Sequence, residues 1–287
     1  MLATTQTAQS FGFKWKKFPI ISSEWQRQLK TWFLEMYDYT LPQFKHFIDG
    51  KKVLDAGCGM AWRTEWFRQL NPSGTVVGLD IAREAVKTGK KLWTADVIVA
   101  SLDTLPFSND FFDYIACEGV IHHTPDPQRF LARLVEVLKP AGSITLYVYK
   151  KKPFLRALVD SAVREKTTRM SATECLDFCK KITLLGKQLY ELDGTVEVPD
   201  IPALGVEAGK YTVQSFIYQY FLKCFWDWAD QDYDRSLAIN FDWYSPELAH
   251  SFSRHELEDL LSGCGLRISS IRELMSAFAV KAQNEPS

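Results

Sequence analysis

No apolar run in the 287-residue chain reaches the roughly 18 residues needed to cross a bilayer. The first seventeen residues hold no apolar stretch ahead of their lysines, so no signal peptide is expected there. Net charge is only −1, which offers no global field for nucleic acid or an anionic membrane. The six cysteines do not form a disulfide framework in a chain this long. Nor is there a pair of C-x-x-C knuckles for zinc. Cys175 and Cys179 stand at helical spacing, and Ile182 sits where an iron–sulfur motif would need a third cysteine. Structural thiols and a reduced, cytoplasmic setting are expected, with no metal.

What is present turns on Lys52–Ala61. Val53 and Leu54 make a short apolar run that ends in Asp55, then Ala56-Gly57-Cys58-Gly59, and a helical pattern begins at Trp62. That order predicts a buried parallel strand, a tight glycine turn and a helix N-terminus. Glycine at 57 and 59 lets backbone approach a ligand where a Cβ would clash. A carboxylate in the turn is ill suited to a pyrophosphate, because two anions would repel; it suits a ligand carrying an ammonium group.

Val53-Leu54-Asp55-Ala56-Gly57-Cys58-Gly59 resembles the first motif of class I S-adenosylmethionine-dependent methyltransferases, whose turn wraps the methionine end of the cofactor. The motif's third glycine is Ala61 here. Thr75-Val76-Val77-Gly78-Leu79-Asp80 is a second strand ending in an acid. Asp80 lies close to the ~20 residues past the turn expected of a ribose-binding carboxylate. One carboxylate accepts from two vicinal hydroxyls, and the resemblance gives Asp80 that role. After a third strand, Val97–Ala100, comes Ser101-Leu102-Asp103-Thr104-Leu105-Pro106-Phe107, similar to the family's adenine loop, with Ser101 in the usual place of an acid. Ser101, Asp103 or the backbone at Leu102 could each make that contact. The resemblance implies cofactor contacts at Asp55, Gly57, Cys58 and Gly59, then at Asp80, Ile81, Ser101, Leu102 and Glu118.

Phe111–Cys117 reads as a fourth strand, followed by Glu118-Gly119-Val120-Ile121-His122-His123-Thr124-Pro125. Ligands and chemistry gather at strand carboxyl ends in open α/β sheets, which makes His122 and His123 the candidate general bases. A helix over 128–138 and a fifth strand over Ser143–Tyr149 follow. Ser253 and Glu256 form a capping box for a last helix, and Leu266–Leu274 with Ala277–Ala282 read as two closing strands. The pattern predicts an α/β fold: a doubly wound, mostly parallel, seven-stranded Rossmann-like sheet with an inserted α-helical lid. Residues 1–50 are expected as an N-terminal helical cap, with 1–10 loose. Residues 51–150 with 253–287 make the core, and 151–252 a helical substrate lid.

The cap is aromatic (Phe11, Trp15, Trp25, Trp32, Phe33) at spacing that packs on the core and could also roof the pocket. The lid's helices are expected at Phe154–Glu165, Ser171–Tyr190 and Val213–Trp228. Its many rings suit an internal core, a substrate wall or a dimer face. Arg156, Asp160 and Arg164 share one helix face, as a salt-bridge ladder or an anion site. The function expected is methyl transfer from S-adenosylmethionine to a small-molecule acceptor, at oxygen or carbon, by in-line displacement with a histidine base. The competing readings are a nicotinamide oxidoreductase, a nucleic-acid or protein methyltransferase, and a cofactor-binding scaffold without catalysis. The first would want glycine at 61 and no acid at 55. The second would want an Asn/Asp-Pro-Pro-aromatic run where Glu118-Gly119-Val120-Ile121 stands. No nucleic-acid partner is expected; a homodimer is open.

Overall fold

The computed structural model describes residues 2–20, 22–227 and 229–285. The chain opens with helix α1 (Leu2–Lys17), then α2 (Ser23–Met36) and α3 (Leu41–Ile48). Strand β1 (Lys52–Ala56) and helix α4 (Trp62–Leu70) follow, then β2 (Thr75–Asp80), α5 (Arg83–Leu92) and β3 (Asp96–Val99). Next come β4 (Phe112–Glu118), α6 (Pro127–Val137) and β5 (Leu138–Tyr149). Beyond them lie α7 (Phe154–Thr167), α8 (Ala172–Glu191), β6 (Thr195–Val198), β7 (Gly209–Thr212), α9 (Val213–Tyr220) and α10 (Tyr233–Tyr244). Helix α11 (Arg254–Ser262) and strands β8 (Leu266–Glu273) and β9 (Ala277–Asn284) complete it.

The chain forms two compact units, residues 1–150 with 248–287, and residues 151–247. In the first, seven strands run in the order β3-β2-β1-β4-β5-β9-β8. β1 through β5 are mutually parallel, and β9 runs antiparallel between β5 and β8. The parallel strands are apolar because helices cover both faces: Val53, Leu54, Ile115, Ala116, Ile144 and Val148 are all fully buried. β1 has β2 on one side and β4 on the other, so the winding reverses between β1 and β4. Such a reversal opens a crevice at the strands' carboxyl ends, and Gly57, Asp80 and Glu118 all sit at those ends. The predicted box at Ser253 and Glu256 caps α11.

Residues 2–10, expected to be loose, belong to α1. Their polar sequence hides a helix that packs along α5, burying Thr7 and Ser10. In the second unit, α9 stops at Tyr220 rather than running on to Trp228, which lies outside the described residues. A β6–β7 hairpin also stands where only helices and loops were expected. Alternation in Thr195-Val196-Glu197-Val198 is the signal for it. Among the described residues, no helix is long and apolar enough to cross a membrane, and no cluster of His, Cys, Asp and Glu could hold a metal. The six cysteines are free thiols, and all but Cys264 are buried.

Candidate active site

The glycine turn is pinned to β2 before any ligand arrives. The Gly57 and Cys58 amides both donate to the Leu79 carbonyl, at 2.8 and 2.9 Å. Gly57 (φ +72°) and Gly59 (φ +56°) take left-handed conformations, and a Cβ would lie 2.2 Å from Val120 at the first and 2.7 Å from the Trp15 indole at the second. Ala61 replaces the expected glycine yet keeps its geometry, at φ +66°, where a β-carbon is strained by about 1–2 kcal/mol. The Cys58 thiol packs against Gly78 rather than facing outward. Burial and the nearby Asp55 and Asp80 push its pKa well up, so Cys58 offers a ligand its backbone only.

Asp80 closes the turn. One carboxylate oxygen accepts from the Gly59 amide at 2.8 Å and the other from the Ala82 amide at 2.7 Å. Each oxygen keeps a second lone pair for a hydroxyl. Burial raises its pKa, against the pull of those amides. Ile81 beside it is partly exposed. In the following loop the Ser101 hydroxyl accepts from the Asp103 amide at 3.1 Å, while the Asp103 carboxylate pairs with Arg129 at 2.6 Å. Leu102 is buried in the core beneath them.

Asp55 does not present itself to a ligand. It is fully buried; Arg63 Nε donates to one oxygen at 2.9 Å, with the Arg63 Nη2 on the same atom, and the Thr64 hydroxyl takes the other at 2.7 Å. The acid expected to meet an ammonium group instead ties β1 to the first turn of α4. The available carboxylate is Glu118, at the end of β4. Tyr37 from α2 donates to it at 2.6 Å. Burial lifts its pKa to about 7, against the field of Arg63 and the Tyr37 hydrogen bond. Neither Arg63 nor Tyr37 was singled out from sequence. The signal for Arg63 was its place one residue into the helix after the turn.

The two histidines differ. His123 Nδ1 lies 2.6 Å from the Leu248 carbonyl. A carbonyl only accepts, so this fixes the ring proton on Nδ1. Its ring meets Phe11 of α1 edge-on at 5.0 Å. His122 is fully buried, and neither of its ring nitrogens has a hydrogen-bond partner. It stacks on Tyr149 with centroids 3.8 Å apart. Burial, with His123 and His250 nearby, holds its pKa well below the usual range, so it is neutral. The His250 amide donates to the His122 carbonyl at 2.8 Å, and the His250 Nε2 is another buried nitrogen without a partner.

Residues 54–146 match the family model described as a methyltransferase domain. An uncharacterized protein of Synechococcus sp. is 34% identical over 106 residues, covering 34% of this chain and 25% of that protein. A demethylmenaquinone methyltransferase of Listeria welshimeri is 31% identical over 102 residues, covering 33% of this chain and 43% of that enzyme. The chain thus spans less than half the length of either relative. A solved Pyrococcus horikoshii protein shares 14% identity with a TM-score of 0.49, over 93% of this chain and 94% of that one. Over residues 54–146, with the glycine turn, Asp80 and the winding reversal in place, the chain carries a methyltransferase domain.

Proposed function

We propose that the protein transfers a methyl group from S-adenosylmethionine to a small-molecule acceptor, at oxygen or carbon, with His123 as general base. The observation that carries this reading is the turn itself: two left-handed glycines, with the Asp80 carboxylate held by the Gly59 and Ala82 amides. These residues fit the cofactor. Backbone at Gly57–Gly59 would lie along its methionine end, the two remaining Asp80 lone pairs would accept from its ribose hydroxyls, and Ser101 or the Leu102 backbone would border the adenine. Glu118, not Asp55, would face the ammonium group, because Asp55 is fully buried with Arg63 and Thr64 on its two oxygens. When bound, S-adenosylmethionine supplies a methyl group on a sulfonium.

The chain's task is alignment, exclusion of water and removal of a proton. His123 suits the last, since the Leu248 carbonyl holds its proton on Nδ1 and makes Nε2 the basic nitrogen of the ring. His122, neutral and unpartnered, would give the acceptor one donor and one acceptor. Demethylmenaquinone, named in a relative that the chain covers only in part, supports a small molecule as acceptor. Residues 151–247 are the segment we assign to acceptor recognition; neither nucleic acid nor a second copy is needed by this reading.

The test is calorimetric titration with S-adenosylmethionine and S-adenosylhomocysteine, alongside Asp80→Ala. Micromolar binding that collapses in the variant supports the reading, and acceptor screening by methyl transfer then follows. Absence of binding for both ligands refutes it.

A further inference from the structure

The second unit buries two cations, Arg156 and Lys223, and two carboxylates, Asp160 and Asp227, and the pairing leaves Lys223 outside any ion pair among the described residues. Helix α7 places Arg156 and Asp160 one turn apart, 2% and 4% exposed, with Arg156 Nε donating to one Asp160 oxygen at 2.8 Å. The other Asp160 oxygen is buried without a partner, and the Arg156 Nη atoms make no hydrogen bond among the described residues. Lys223, just beyond α9, is 8% exposed. Its ammonium donates to the Tyr218 hydroxyl at 3.2 Å and has no ion pair among the described residues. Both cations lie against one ring: the Arg156 guanidinium is 5.3 Å and the Lys223 ammonium 5.1 Å from the Tyr218 centroid. Trp243 adds a third charge to the group, with Lys223 at 5.7 Å and Arg164 at 5.5 Å from its ring. Arg164 turns its own donors to the carbonyls of Trp243, Pro246 and Glu247. The unit's other buried acid, Asp227, is engaged by Arg235.

A desolvated cation needs an anion or a full set of acceptors, and ring faces compensate it only in part. Arg156 keeps a planar fork of donors, the geometry that grips a carboxylate or phosphate through two oxygens. We propose that residues 151–247 hold a binding site for an oxyanion, the carboxylate or phosphate of a small molecule, formed by Arg156 and Lys223 beside Tyr218. The site goes beyond the methyl-transfer reading and stands independently of it.

The full-length protein is titrated with inorganic phosphate and, separately, with benzoate, in chloride buffer at matched ionic strength, by calorimetry and by thermal melting. At least one of the two binds saturably and raises Tm; which one it is separates a phosphate-bearing ligand from a carboxylate-bearing one. Lys223→Met weakens that binding by about tenfold or more and melts no lower than the wild type in anion-free buffer, since a buried uncompensated charge is gone. Arg156→Lys keeps the charge but loses the fork, and weakens binding comparably. It decides the matter alone if Lys223→Met fails to fold by near-ultraviolet circular dichroism. S-adenosylmethionine binding by both variants stays at the wild-type level. No response to either anion, or a wild-type response in the folded variants, overturns the proposal.

Discussion

Tyr37 donates its hydroxyl to the Glu118 carboxylate from 81 residues away in sequence, at 2.6 Å to each oxygen. The bond joins the helices ahead of the sheet to the end of β4. It favours the ionised acid, yet burial outweighs it and leaves the Glu118 pKa at about 7. A carboxyl raised in the fold gives its full stability below its unfolded pKa and loses it as pH rises through the folded value. Glu118→Gln, which keeps an acceptor for Tyr37, should therefore match the wild type near pH 4. It should gain on the wild type up to about pH 7, by about 3 kcal/mol. Urea melts across that range check it, and a gap that does not change with pH refutes it.

Asp55 and Arg63 make a buried pair whose partners are separated by the whole glycine turn. Asp55→Asn leaves the Arg63 guanidinium desolvated beside a neutral amide, and should destabilise by about 3–5 kcal/mol. Replacing both by leucine should cost clearly less than the two single changes added together, because the buried charges leave together. Denaturant melts of the four proteins measure the coupling. Additive single effects would show that the pair is not the tie between β1 and α4.

Trp15 closes over Gly59 so tightly that one added carbon cannot fit. Gly59→Ala meets both a left-handed backbone, about 1–2 kcal/mol of strain, and the indole. Trp15→Ala removes the second obstacle only. The double variant should be more stable than the sum of the singles by about 0.5–3 kcal/mol, with the backbone strain left over. Independent effects in the melts would mean that the indole yields freely.

How much of this was legible in the chain depends on how local the cause is. The turn at 57–59, the acid at Asp80 and the capping box at Ser253 and Glu256 are short-range patterns, and each stands where its sequence puts it. Asp55 shows the limit. Its place in the turn is local, but its partner is set by how α4 leaves that turn, which brings Arg63 and Thr64 back onto β1. Tyr37 lies further still, since only the folded first unit brings α2 to the end of β4. Residues 2–10 read as loose because Thr and Gln carry no apolar period, so their helix depends on packing against α5. The hairpin strand at Thr195–Val198 has only four residues of alternation to announce it, too short a signal to stand out between long helical segments.

His122 carries two buried nitrogens without partners, so it burdens the free protein in a way that a substrate-facing residue can be kept for. His122→Phe conserves the ring stacked on Tyr149 and removes both orphaned atoms. It should stabilise the fold by about 1–3 kcal/mol at pH 8. Acid widens the gap. The His122 pKa is depressed in the fold, so as pH falls through the unfolded value of about 6.5 the unfolded chain takes a proton that the native chain refuses. Wild-type stability then drops where the variant's does not. Activity should move the other way, with a KM for the acceptor about tenfold higher, the effect of a lost buried hydrogen bond. His123→Asn, by contrast, should lower kcat by about a hundredfold, as for a lost general base. Melting curves at pH 8 and pH 5.5, set beside acceptor kinetics, test both halves. A less stable His122→Phe at both pH values would mean that the orphaned nitrogens bind structural water rather than await a ligand.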